Sequence, residues 1–135
     1  MSAFQNAFAI AVMLIASQPA HSETFNISAS NMTSFTINTL PDPTLTLTRG
    51  QTYQLQLVNL ASVHPFWIKT TASTGTVNAY NDGLSSNGQT GNVMMTFIVP
   101  GNAPDQLFYS CQTHAAMTGV INIVSDAALF SSSFE

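Results

Sequence analysis

The sequence predicts an all-β chain folded as a Greek-key β-sandwich of about seven to eight short strands. Apolar residues recur two apart, the period of a strand with one buried face, in segment after segment. Turn signals built on Gly, Pro, Asn and Asp interrupt those segments about every ten residues. Only 6% of the 135 residues are charged, and polarity comes from Ser, Thr, Asn and Gln beside many β-branched residues. That mixture favours strands and turns over helices.

The first segment stands apart. Residues 7–16, AFAIAVMLIA, form an apolar run of signal-peptide length, and Ala20-His21-Ser22 supplies a small-x-small cleavage triplet. Residues 1–22 therefore read as a signal peptide, 23–125 as one folded domain and 126–135 as a compositionally distinct tail. The leader MSAFQN departs from the usual pattern in carrying no Lys or Arg. Removal of this segment predicts an exported protein, periplasmic or secreted, with no stable membrane insertion afterwards. The remaining chain keeps two histidines, His64 and His114, and the single cysteine, Cys111.

Within the domain, TFNIS (24–28), SFTINTL (34–40) and TLTLT (44–48) each alternate apolar and polar residues. Arg49-Gly50 then separates TLTLT from QTYQLQLVN (51–59), and Gly50 is expected to supply the positive φ of a tight hairpin. HPFWIKT (64–70) reads as another strand. Residues 71–91, rich in Gly, Asn, Ser and Thr, read as a long excursion with one short strand at 76–80, in which Asn81-Asp82-Gly83 is ordinary turn chemistry. NVMMTFIVP (92–100) alternates until Pro100-Gly101 stops it; neighbours on a strand point to opposite faces, so one of Met94 and Met95 belongs to the core and one to the surface. QLFYS (106–110) leads into Cys111, and GVINIV (119–124) closes the pattern.

Charge excludes one class of function. Two basic residues, Arg49 and Lys69, stand against six acidic ones for a net charge of −4. Nucleic acid is not a partner, because neutralising several phosphates takes several Lys or Arg.

The chemistry lies between Tyr109 and Gly119, where Cys111, His114 and Met117 follow one another as Cys-x2-His-x2-Met. A soft thiolate, an imidazole and a weakly bound thioether suit copper cycling between two oxidation states. A strand that ends at the cysteine and turns sharply can aim all three side chains at one point. A second imidazole is still needed, and His64 sits at the start of a strand that a Greek-key sandwich can bring beside the last hairpin. Taken singly, these residues have plainer readings: a lone Cys or Met is ordinarily core filling, and a lone His a surface or capping group. An unpaired thiol in an exported protein is exposed to oxidation, and metal ligation is a reason to keep one. Phe66 and Trp67 read either as packing or as an electron port beside the metal, packing being the commoner use.

At these residues the sequence resembles the cupredoxins, the blue copper proteins. The Cys-x2-His-x2-Met loop looks like the short ligand loop of amicyanin-type members, and LTRGQTYQLQLVN with the later HPF looks like their middle strands. The resemblance spans roughly residues 40–124. It implies a plastocyanin- or amicyanin-like single domain holding one type 1 copper ion, with His64 and His114 as imidazole ligands, Cys111 as the thiolate and Met117 as the long axial ligand. One departure matters: many members have Asn after the first histidine, whereas this chain has Pro65. Proline has no N–H, so a backbone hydrogen bond to the thiolate from that position is lost and a lower reduction potential is expected.

What the resemblance implies is a one-electron carrier, a monomer acting with a redox partner protein and not an enzyme. Copper nitrite reductases and multicopper oxidases need further imidazoles that two histidines cannot supply, and a binuclear copper centre needs a second thiolate. Copper handling uses the same ligands and is the first alternative, with a metal-free β-sandwich binding module the second. With so few basic residues, docking is expected to be apolar, around the His114 end of the ligand loop where Ala115, Ala116 and Pro65 offer small uncharged surface; Pro65, Phe66, Ala115 and Ala116 are expected either to support the ligands from behind or to take part in docking.

Overall fold

The computed structural model describes residues 22–126. The expected signal peptide, apart from Ser22, and the tail from residue 127 onward lie outside the described residues. Among the described residues nine strands follow in order: β1 (Ser22–Ser28), β2 (Thr36–Ile37), β3 (Leu40–Pro41), β4 (Leu45–Thr48), β5 (Thr52–Leu57), β6 (Phe66–Lys69), β7 (Met94–Ile98), β8 (Gln106–Cys111) and β9 (Thr118–Val124). They form two sheets, ordered β3-β2-β1-β5-β7 and β4-β9-β8-β6. Among the described residues no helix is long and apolar enough to cross a membrane.

The two-residue period works as expected. Phe25 and Ile27 of β1, Tyr53, Leu55 and Leu57 of β5, and Met95 and Phe97 of β7 are buried against Leu45 and Leu47 of β4, Phe66 and Ile68 of β6, Leu107 and Tyr109 of β8, and Ile121 and Ile123 of β9. Both inner faces thus interdigitate into one core, the condition for a two-sheet sandwich. Met95 is in the core and Met94 at the surface, as alternation requires.

Three local expectations are corrected. Gly50 does have a positive φ, +83°, and Gln51 N–H donates to the Thr48 carbonyl across the turn, but the turn is not a hairpin. β4 pairs in parallel with β9, whereas β5 pairs with β1 and β7, so Arg49-Gly50 carries the chain from one sheet to the other. Alternation reports which face is buried and is silent on which strand is the neighbour. The expected strand 34–40 breaks in two, because Asn38 and Thr39 take φ of 48° and 74° in a tight β2–β3 turn. Asn tolerates that region and is anchored there: Asn26 N–H donates to Asn38 Oδ1 at 2.8 Å, and Asn38 N–H to the Asn26 carbonyl at 3.0 Å. The short strand expected at 76–80 is only a bridge, Lys69 to Ala79.

The 71–91 excursion covers the outer side of β6. Lys69 points away from the core yet is wholly buried, because its Nζ donates to the carbonyls of Ser73 (2.8 Å), Thr74 (3.2 Å) and Gly75 (2.8 Å) and to Ser73 Oγ (3.3 Å). Burial lowers its pKa, and the ring of oxygens offsets part of the cost of holding a cation out of water. Asn87 ties the far end of the excursion to β6, accepting from Ile68 N–H at 2.8 Å and donating to the Ile68 carbonyl at 2.9 Å.

Candidate metal centre

Cys111 ends β8 and continues its inward-facing set, Leu107 and Tyr109, so strand alternation alone puts the thiol inside one end of the sandwich. β6 begins opposite it, with Phe66 paired to Cys111 in register. His64 lies two residues before that strand, so the pairing of β6 with β8 brings the first histidine to the cysteine. The second arrives on the loop that follows β8. That loop closes on itself: Cys111 N–H donates to the Met117 carbonyl at 2.9 Å and Met117 N–H to the His114 carbonyl at 3.1 Å.

His64, Cys111 and His114 come together as a cluster with metal-ligating atoms. Both imidazoles turn Nδ1 toward the thiol. His64 Nδ1 lies 3.8 Å from Cys111 Sγ, His114 Nδ1 lies 3.5 Å from it, and the two nitrogens are 3.2 Å apart. A circle through the three atoms has a radius of about 2.0 Å, close to the ~2.0 Å metal–nitrogen and ~2.3 Å metal–sulfur distances of protein metal sites. One ion of that size fits between them, and two nitrogens with one thiolate in a plane are the donor set of a type 1 copper centre. Met117 is wholly buried beside this group, its backbone bonded to both Cys111 and His114.

Burial prepares the donors. His64 is 6% exposed, and burial, followed by the neighbouring His114, pulls its pKa below the usual imidazole value. The neutral form is the one that ligates, so burial favours the ligating form of His64. His114 is half-buried with Nδ1 directed at the thiol, and it is followed by exposed Ala115 and Ala116; Pro65, after the other histidine, is half-buried.

The chain is similar in structure to rusticyanin, which one solved structure calls a copper protein: that match has 20% identity and TM-score 0.54, over 78% of this chain and 79% of that one. Rusticyanin from Thiobacillus ferrooxidans matches at 21% identity and TM-score 0.54 over the same shares, and reduced rusticyanin at 20% and 0.52 over 78% and 81%. No protein-family model matches the chain, and no curated protein is similar to it in sequence. This is the cupredoxin fold. The His64–Cys111–His114 cluster sits where β6 begins beside the end of β8.

The remaining sequence-predicted residues divide. Pro65, Ala115 and Ala116 reach the surface around His114, and Val63, 54% exposed, joins them. Phe66 does not: it is wholly buried, stacked on Tyr109 with centroids 5.7 Å apart and edge-on to Phe35 at 5.0 Å. It backs the cysteine from the core and is no part of a docking surface. Trp67 is half-buried, its Nε1 donating to Gln112 Oε1 at 3.0 Å directly beside the ligand loop. Gln112 and Thr113 are the site residues that sequence reasoning missed, since a polar pair between two ligands has no spacing signal of its own.

Proposed function

We propose that this chain is an exported type 1 copper protein that carries one electron between partner proteins, with His64, Cys111, His114 and Met117 as ligands. The observation that carries the reading is the triangle of two Nδ1 atoms and one Sγ, with sides matched to a single ion. Copper, when bound, supplies a couple that takes up and releases one electron. The protein's part is to hold the donors and to exclude water. Three of the four side chains, His64, Cys111 and Met117, are buried, and His114 alone reaches toward the surface. Its outer edge is the point of electron exchange, and Val63, Pro65, Ala115 and Ala116 form the docking patch around it.

Neither basic side chain is available to a partner there. Arg49 is bound to Asp105 at 2.6 Å and Lys69 is buried, so docking through this patch is apolar and weakly salt-dependent. Copper delivery uses the same donors but needs a site that opens to a recipient, and burial of three ligands favours retention of the metal. The one histidine besides His64 and His114 is His21, in the expected leader, too few imidazoles for the second copper centre of an oxidase or reductase.

The test is visible absorption and electron paramagnetic resonance of the chain after Cu(II) loading, with cyclic voltammetry of the same sample. An intense thiolate-to-copper band, narrow hyperfine splitting and reversible one-electron behaviour are expected. A colourless protein whose thiol stays free refutes the ligand assignment, and rapid surrender of copper to an apoprotein acceptor favours copper handling.

A further inference from the structure

His64 lies between two carbonyls that the Cys111–Met117 loop holds. Gln112 N–H donates to the Pro65 carbonyl at 3.1 Å, and the Thr113 hydroxyl is hydrogen-bonded to the Val63 carbonyl. A single bond between two segments leaves rotation about it free. Two bonds, one on each side of His64, fix the angle at which its imidazole faces Cys111 and His114. The first is a backbone bond that any residue at 112 could make; the second depends on the side chain at 113.

The Thr113 hydroxyl has other neighbours, His114 Nδ1 at 2.9 Å and Cys111 Sγ at 3.5 Å, so the fate of its one proton decides its role. A carbonyl accepts only, while a hydroxyl has one proton to give and two lone pairs. The bond to Val63 therefore takes the proton, and the lone pairs face the sulfur and the imidazole. In their ligating forms these two atoms have no proton to offer in return.

We propose that Thr113 is a positioning residue whose hydroxyl, by donating to the Val63 carbonyl, clamps the Cys111–Met117 loop to the segment bearing His64 and holds the two imidazoles at ligating separation. The proposal rests on the copper reading for its consequences and on geometry alone for the clamp. Because the proton is committed to Val63, Thr113 gives the thiolate no hydrogen bond, and Pro65 has none to give.

Thr113→Val keeps the shape and removes the hydroxyl, and Thr113→Ser restores it. In the copper-loaded chain, Thr113→Val is expected to lose metal to a competing chelator about fivefold faster, the scale of one net hydrogen bond, with broadened copper hyperfine lines. Thr113→Ser is expected to return both toward the original. Unchanged metal loss and hyperfine structure in Thr113→Val overturn the proposal, as does failure of Thr113→Ser to restore them. A shifted charge-transfer band and a lower potential with unchanged metal loss also overturn it, since they mean that the proton was on the sulfur. Should Thr113→Val fail to fold, nuclear magnetic resonance of the unmutated metal-free chain decides: a slowly exchanging Thr113 hydroxyl proton coupled to the Val63 carbonyl carbon supports the clamp, and a freely exchanging one refutes it. That measurement needs no copper, so a chain that shows the clamp and takes up no copper refutes the electron-carrier reading alone.

Discussion

Gly119→Ala tests whether the wall behind the His64–Cys111–His114 cluster is as tightly set as its contacts indicate. Gly119 is paired with Tyr109 across β8 and β9, and a Cβ added there would meet Tyr109 Oη at 2.1 Å, Cζ at 2.2 Å and Cε2 at 2.6 Å. Ordinary contacts lie at about 3.5–4.0 Å, so the ring must retreat by more than ~1 Å. It has no room: it is stacked on Phe66, meets Phe35 edge-on at 6.2 Å and donates to the Pro43 carbonyl at 2.6 Å. Overpacking of this kind costs about 1–3 kcal/mol, and breaking the buried bond to Pro43 adds about 1 kcal/mol. The sum, roughly 3 kcal/mol, corresponds to a fall in Tm of more than about 10 °C for a domain of this size. Urea denaturation of the metal-free protein should show a lower midpoint with an unchanged slope. Gly101→Ala is the control, because nothing lies within 4 Å of its added Cβ, and it should stay within about 0.5 kcal/mol of the original. A Gly119→Ala protein as stable as that control would refute the reasoning, and with it the claim that Tyr109 is a fixed support for the cysteine two residues on.

Pro65→Asn restores an N–H beside the thiolate and should raise the reduction potential of the copper-loaded protein; voltammetry giving no shift or a fall counts against the donor argument. Ala115→Glu places a charge in the apolar patch around His114 and should slow electron transfer to the natural partner, whereas an unchanged stopped-flow rate moves the docking surface to another face. Burial raises the pKa of the Asp42 carboxyl, partly opposed by the Phe35 N–H that donates to its Oδ1 at 2.9 Å. A carboxyl raised in the folded state binds its proton more tightly there than in the unfolded chain, so folding gains stability as pH falls through the native value toward the ordinary 3.8. Asp42→Asn removes that gain; comparing the two proteins by urea denaturation at each pH cancels the separate contribution of His64. The difference should be largest near neutral pH and shrink below the native value, and a difference constant across the range is the contrary result.

How much of this was legible beforehand follows from the range over which each signal acts. Alternation identified Phe25, Leu55 and Phe97 as inward-facing, and Cys-x2-His-x2-Met located the loop, because both are local patterns. Strand partnership is not local: TLTLT and QTYQLQL read as a hairpin, yet belong to different sheets. Asn38-Thr39 hid a turn inside an apparent strand, since nothing in SFTINTL distinguishes an asparagine that faces solvent from one anchored to Asn26. Lys69 carried the opposite message, for a lysine in a strand reads as surface, and only the later carbonyls of Ser73, Thr74 and Gly75 make its burial tolerable. Thr113 shows the same limit within the site, where its role depends on a carbonyl 50 positions earlier.

The bonds that position the ligands are made by their neighbours. Pro65 and Val63 are held by Gln112 and Thr113; Gln112 accepts in turn from Gly75 N–H at 2.7 Å through its carbonyl and from Trp67 through its side chain. Gly75 is itself fixed by the Lys69 ammonium, so the buried cation on the outer side of β6 is linked through two hydrogen bonds to the residue after Cys111. The donor atoms take no part in that scaffold. Their polar neighbours are one another, the Thr113 hydroxyl and the Val63 carbonyl, so both Nδ1 atoms and the sulfur surround a common point. Under the proposed copper reading, a one-unit change of charge at the cluster would leave these supporting bonds in place, and the scaffold would keep the rearrangement between the two states small.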